Sequence, residues 1–443
     1  VGCSSEETKA DSDADKVESS LEIFSWWTSS GEAEALQTLI DELHDRHPNL
    51  QITNAAAENS TTARATLASR LAAGEPPDSF QAVSGRDILG YVNDDKMEPL
   101  DDLAAKNGWD KAFPPGVLDI LRGKDGKLYA IPANIERDNN LYYGVKTLED
   151  NGLSAPKTLP DFYAACDTLQ AANVTPLAVP AAGWVLALVA FETLMPTVNG
   201  GEWYTNFLSG KADPNTAANE AEARKLFEEL AKVLACSDVA TAEARWTAAA
   251  DLVVSGEAAM YVMGDWGKGY FEGTEDADGN TRAKFVAGED FGVVPGLGSE
   301  GYFTFNSAVF GLPKGAQHPN AAKAFLEVVG SIEGQSAFNP LKGSVPARSG
   351  VGLDAFDDMV KGSYEDFVAA GKEEFKLLPG YASLTTSAFQ EEVNPSLLVF
   401  AVGGERAREL DPDNVPESEA AIPAFDVDYM VTKLQANYGL LAD

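Results

Sequence analysis

Leu21-Glu22-Ile23-Phe24-Ser25-Trp26-Trp27 is the stretch that decides the fold. It alternates at first and is rich in β-formers, so it reads as a strand. Thr28-Ser29-Ser30-Gly31 reads as a loop. From Glu32 to His47 the spacing is helical, with Leu36, Leu39, Ile40 and Leu43 on one face and Pro48-Asn49 closing the run. Leu50-Gln51-Ile52-Thr53-Asn54 then reads as a second strand. A strand, a helix and a strand in succession make a parallel sheet and an α/β fold.

The alternation continues outward from this unit. Thr61 to Ala73 is helical, and Gly74-Glu75-Pro76-Pro77-Asp78 turns into the short strand Ser79-Phe80-Gln81-Ala82. Lys127 to Pro132 and Asn140 to Tyr143 read as strands around a crossing point. Leu159 to Ala171, Ala221 to Leu234 and Ala321 to Val329 read as helices; Ala258 to Met263 and Asp290 to Pro295 read as strands. In open α/β sheets, ligands sit just past the C-terminal ends of strands. Trp26, Trp27, Gln81, Asp265 and Trp266 all fall at such junctions.

A chain of 443 residues has room for two or three domains, and 44% hydrophobic residues supply large cores. With 33 basic against 69 acidic residues the net charge is −36, which repels nucleic-acid phosphates and anionic membrane surfaces. No run approaches the ~20 consecutive apolar residues of a membrane span. The opening Val1-Gly2-Cys3-Ser4-Ser5 has the form of a bacterial lipoprotein processing site, with Cys3 acylated; the alternative is a buried Cys. Ser4 to Ser20 is polar and acidic, so residues 1–20 read as a flexible tether. Cys166 and Cys236 then remain, as a disulfide or as two separate thiols.

Several chemistries find no support. His44, His47 and His318 are the histidines; the first two lie at the polar end of a helix, and no Cys/His cluster has zinc spacing. Neither a metal nor a cofactor is expected. There is no G-x-S-x-G elbow and no phosphate-binding P-loop. Gly296 to Gly301 fits G-x-G-x-x-G, but Tyr302-Phe303-Thr304-Phe305 follows and is strand-like, where a dinucleotide site needs a helix. Among 69 acidic residues some pair is bound to be close, so a glycosidase stays open as an alternative without a nameable acid pair. Trp26, Trp27, Trp184, Trp203, Trp246 and Trp266 are candidate platforms for the apolar face of a sugar ring.

The block from Ile23 to Trp27 followed by Glu32, the block Pro76 to Gln81, and Val262-Met263-Gly264-Asp265-Trp266 together resemble the glucose/mannose-binding proteins of bacterial ABC sugar importers. Gly311 to Gly315 and Asn339-Pro340-Leu341-Lys342-Gly343-Ser344 extend the likeness in the same order. The wider relatives are the family 1 extracellular solute-binding proteins, similar to maltose-binding protein. The resemblance implies a type II periplasmic-binding-protein fold, two α/β lobes joined by a hinge around a cleft. The lobes are expected at 21–129 plus 295–346 and at 130–294 plus 347–443.

The resemblance also implies a function: an extracytoplasmic, lipid-anchored, monomeric receptor, with no enzymatic role. It would bind glucose, galactose or mannose and pass the sugar to importer membrane subunits on cleft closure. A receptor for a non-sugar solute is a further alternative. The ligand residues it implies are Trp26, Trp27, Glu32, Gln81, Trp246, Asp265, Trp266, Asn306, Lys342 and Tyr381. The family's cysteines near Cys166 and Cys236 agree with a disulfide. Two positions depart from the pattern: Val83 stands near an expected His or Lys, and Tyr381 near an expected His. Arg86 is the neighbouring cation in the first case.

Overall fold

A computed structural model describes residues 16–28, 30–56, 60–239, 245–273 and 283–442. Cys3 and most of the expected tether lie outside the described residues. The quoted stretch forms strand β1 (Ser20–Ser25), parallel in register to β2 (Gln51–Ala56) across the helix Ser30–Arg46. β3 (Ser79–Val83) pairs parallel on the other side of β1. Flanked on both sides, β1 buries Leu21, Ile23, Phe24 and Ser25 together, the pattern of a central parallel strand. β4 (Ala130–Pro132) and β12 (Ala308–Gly311) complete a five-stranded sheet of order β2-β1-β3-β12-β4.

A second five-stranded sheet has the order β10-β6-β9-β7-β8. Its strands are β6 (Asn140–Gly144), β7 (Thr175–Ala178), β8 (Ser237–Asp238), β9 (Ala258–Met263) and β10 (Phe291–Pro295). Helices cover each sheet, giving one lobe per sheet. The core of the first lobe runs from Leu21 to Ile135, resumes at Phe303 and ends at Ala370. The cores of the second run from Leu141 to Leu297 and resume at Leu378.

The chain thus crosses between lobes three times, and each crossing carries one strand of a small third sheet. These are β5 (Glu136–Arg137), β11 (Phe303–Asn306) and β13 (Leu377–Pro379), in the order β13-β11-β5. This sheet is the hinge. Three expected boundaries move: Ala130 to Ile135 belong to the first lobe, Leu297 to the second, and the segment after 346 packs on the first lobe until Ala370. The cause of the last shift is the helix Asp358–Ala370, which buries Val360 and Phe367 there, with Phe367 edge-on to Phe303 at 5.5 Å. The G-x-G-x-x-G segment is a short 3-10 turn leading to β11, as the strand-like residues after it implied.

Candidate functional site

Four elements deliver charged side chains to the lobe junction. Glu32 lies in the first turn of the helix Ser30–Arg46, where a carboxylate suits the helix dipole. Lys342 is the last residue of the helix Ile332–Lys342, where an ammonium suits the opposite end. Glu136 comes from β5 in the hinge. Asp265 and Trp266 follow β9 of the second lobe.

Lys342 is the centre of this group. Its Nζ lies 2.7 Å from Glu136 Oε1 and 3.1 Å from Glu32 Oε1, and its side chain is 0% exposed. The ammonium also stands 5.4 Å from the ring of Trp266 and 5.9 Å from that of Trp27. Asn134 Nδ2 donates to Glu136 Oε1 at 3.1 Å. Asp265 Oδ2 accepts the backbone N–H of Arg137 at 3.0 Å.

Three carboxylates share one ammonium. Burial raises the Glu32 carboxyl, repulsion from Glu136 adds to the rise, and attraction to Lys342 only partly offsets it. Burial and Glu136 push Asp265 well above the usual carboxylate range. Burial alone would lower the Lys342 ammonium, but Glu136, Glu32 and Asp265 outweigh it and hold it above the usual lysine range. The cluster offers both charged acceptors and a charged donor beside an indole face. That combination suits a ligand with several hydroxyls and an apolar ring face.

A second network crosses the junction. Ser84 Oγ of the first lobe lies 3.0 Å from Ser383 Oγ, whose hydroxyl also lies 3.0 Å from Asn306 Oδ1. Asn306 Nδ2 donates to Asp138 Oδ2 at 2.6 Å, and the buried Glu192 carboxyl acts on Asp138 electrostatically. Glu192 Oε1 accepts the backbone N–H of Tyr381 at 2.9 Å. The lobes touch closely around this line. Gly85 has φ +78°, and a Cβ there would sit 2.3 Å from the Ser383 carbonyl oxygen. A Cβ on Gly31 would sit 3.1 Å from Gly269 Cα across the junction.

The structure brings Trp266, Glu32, Asp265 and Lys342 into one cluster and places Asn306 in the second network. Gln81 is buried and accepts the Trp26 backbone N–H at 3.2 Å. Trp26 is half-buried, with the Arg64 guanidinium 5.4 Å over its ring. Trp246 is packed edge-on against Tyr270 of the second lobe, 5.5 Å away.

Other expectations are corrected. Trp27 is a core residue, 1% exposed and packed on Phe310 and Phe338, with the Lys342 ammonium 5.9 Å from its ring. Tyr381 is stacked on Phe191 at 5.0 Å with its hydroxyl 3.1 Å from Asn394 Oδ1, so it belongs to the second lobe's interior. Arg86 Nη1 donates to the Leu441 carbonyl at 2.7 Å. Trp203 stacks on Phe207 at 4.9 Å. Cys166 and Cys236 are free thiols, with Cys236 Sγ donating to the Lys232 carbonyl at 3.7 Å, where a disulfide was expected. Glu136, Asn134 and Asp138 were not foreseen, although the strands on either side of residues 133–139 marked that segment as a crossing point.

Among the described residues no group of three or more His, Cys, Asp or Glu side chains is arranged to hold a metal ion. No described helix is long and apolar enough to cross a membrane.

Comparison with known proteins places this architecture. The chain is 32% identical over 381 residues to an uncharacterized ABC transporter extracellular-binding protein of Pyrococcus horikoshii, covering 84% of this chain and 82% of that protein. It is 32% identical over 353 residues to a probable sugar-binding periplasmic protein of Mesorhizobium japonicum, covering 80% and 81%. Its fold matches that of the bacterial solute receptor AcbH, a protein with an exclusive preference for β-D-galactopyranose. That match has a TM-score of 0.74 at 17% identity and covers 95% of this chain and 99% of the receptor. Residues 27–336 match the model of one family, and on that match the chain belongs to the bacterial extracellular solute-binding proteins.

Proposed function

We propose that the junction binds a monosaccharide of the glucose type and that the closed form is read by the membrane subunits of an ABC importer. The observation that carries this reading is Lys342, wholly enclosed between Glu32 of the first lobe and Glu136 of the hinge, with Trp266 of the second lobe over it. A hydroxyl entering there accepts from the ammonium and donates to either carboxylate, while the indole covers the ring's C–H face. Because the partners come from both lobes and the hinge, the ligand favours the closed arrangement. Anchoring through an acylated Cys3 on the outer side of the cell membrane belongs to the same reading. The likeness to the probable sugar-binding protein of Mesorhizobium supports a sugar in general.

Titration calorimetry tests it with glucose, galactose, mannose, xylose and a disaccharide, on protein unfolded and refolded to strip retained ligand. Saturable binding near micromolar, about −8 kcal/mol, is expected for one of the monosaccharides. Absence of heat with every sugar would overturn the reading.

A further inference from the structure

Asn134 lies just before the hinge strand β5 and is wholly buried. Both ends of its amide are used. Oδ1 accepts the backbone N–H of Ala308, the first residue of β12, at 2.9 Å. A backbone N–H only donates, so this contact fixes which end of the amide is oxygen. The amide nitrogen then faces the other way, with Nδ2 3.1 Å from Glu136 Oε1 and 3.2 Å from Ser344 Oγ.

Ser344 closes a ring of hydrogen bonds with the segment that carries Lys342. Its hydroxyl donates to Asn339 Oδ1 at 2.8 Å, and Asn339 Nδ2 donates to the Ala133 carbonyl at 3.1 Å and the Gln335 carbonyl at 3.0 Å. Every polar hydrogen of the three side chains is therefore committed. Buried networks satisfied in this way hold one arrangement. The consequence falls on Glu136. Its Oε1 receives the Asn134 amide and stands 2.7 Å from the Lys342 ammonium. Its Oε2 makes no hydrogen bond to a described residue, and the side chain keeps 12% of its surface exposed. Without the amide, the carboxylate is free to turn about its last bond and offer either oxygen to Lys342.

On the reading that the Lys342 cluster holds the sugar, we propose that Asn134 is a positioning residue: it pins Glu136 Oε1 on Lys342, so that Oε2 alone is presented to a ligand hydroxyl. Asn134 itself touches no ligand. Its contribution is an acceptor already fixed before the sugar arrives, which lowers the cost of ordering on binding.

Asn134→Asp isolates this role. The new carboxylate still accepts from the Ala308 N–H, so the tie to β12 survives. What changes is the donor facing Glu136. At pH 8 two carboxylates meet there and repel. At pH 5 a proton on the new side chain restores an O–H donor to Glu136 Oε1. The other charged groups of the cluster, Lys342, Glu32 and Asp265, are common to variant and parent, so the two proteins are compared at the same pH. Calorimetry uses whichever monosaccharide the parent binds most tightly. Asn134→Asp should bind it about tenfold more weakly than the parent at pH 8 and within about threefold at pH 5, the size of effect that one lost charge-assisted hydrogen bond gives. Ser344→Ala removes one anchor of the amide without adding charge. It should weaken binding about threefold at both pH values, so the test does not depend on Asn134→Asp folding at pH 8. Parental affinity of Asn134→Asp at pH 8, an equal deficit at both pH values, or undiminished binding by Ser344→Ala would each overturn the proposal. A parent that binds no sugar would overturn the reading of the site itself, and the positioning role with it.

Discussion

Glu136 Oε1 stands 2.7 Å from Lys342 Nζ, and the carboxylate that the ammonium must share, Glu32, approaches it from the other side at 3.1 Å. Lys342 therefore neutralises a buried group of like charges as well as offering a donor. Lys342→Met removes the cation that touches both Glu32 and Glu136. Breaking a buried pair in this way costs about 3–5 kcal/mol. The variant should lose that much in urea denaturation as well as losing sugar affinity in calorimetry. A loss of affinity with parental stability would show that Lys342 acts on ligand alone.

Trp27 and Trp266 face the same ammonium from different sides, and they should fail differently when truncated. Trp27 fills the space between Phe310 and Phe338, so Trp27→Ala should cost about 3–5 kcal/mol of stability. Trp266 is half-buried at the junction, and Trp266→Ala should cost about 0.5–1.5 kcal/mol of binding with a smaller loss of stability. Guanidinium denaturation and sugar titration of both variants check the split. Equal stability losses would refute it.

Gly85 is where closure is sterically narrowest. Its φ is +78°, and a Cβ would come within 2.3 Å of the Ser383 carbonyl oxygen, which leaves no room for a side chain. Gly85→Ala should hold the lobes apart, lowering sugar affinity at least tenfold and raising the radius of gyration in small-angle scattering with sugar present. Parental affinity and compaction would mean that this contact is not needed for closure.

The fold was legible between Leu21 and Asn54 because period and composition agree there: β-formers, a loop, a helical apolar stripe, then β-formers. Legibility failed wherever a pattern states that a face is buried without stating against what. The helix Asp358–Ala370 has an apolar face in either lobe assignment, and only Phe303 and its neighbours decide that it joins the first. Trp26 and Trp27 point to opposite sides, as adjacent extended residues do, but sequence does not say which side is core. Glu136 was hidden by number, one acid among 69. Asp78 shows the same limit: the Pro-Pro-Asp turn was visible, but not that its carboxylate accepts from Glu22 N and His318 N at 2.8 and 2.7 Å.

The buried Asp138–Glu192 pair should make stability fall with rising pH. Burial is the leading cause of a raised pKa in both residues; for Asp138, Glu192, Glu136 and Asp265 add repulsion. Asp138 Oδ1 and Glu192 Oε2 are buried with no hydrogen-bond partner among the described residues, an environment that disfavours charge on either carboxyl. A carboxyl raised in the folded state contributes fully below its unfolded value, about 3.9 for Asp. That contribution is lost as pH rises towards the folded value. Across that interval the loss is about 1.4 kcal/mol per pH unit for each proton retained only by the folded state. Asp138→Asn keeps an oxygen for Asn306 Nδ2 and removes the ionisable carboxyl. The variant should therefore gain on the parent as pH rises from 5 to 8, and its stability should vary less with pH. Urea denaturation at half-unit intervals measures both slopes. Parallel slopes would show that the pair does not hold a proton in the folded protein, and a variant less stable at every pH would show that the carboxyl itself is required.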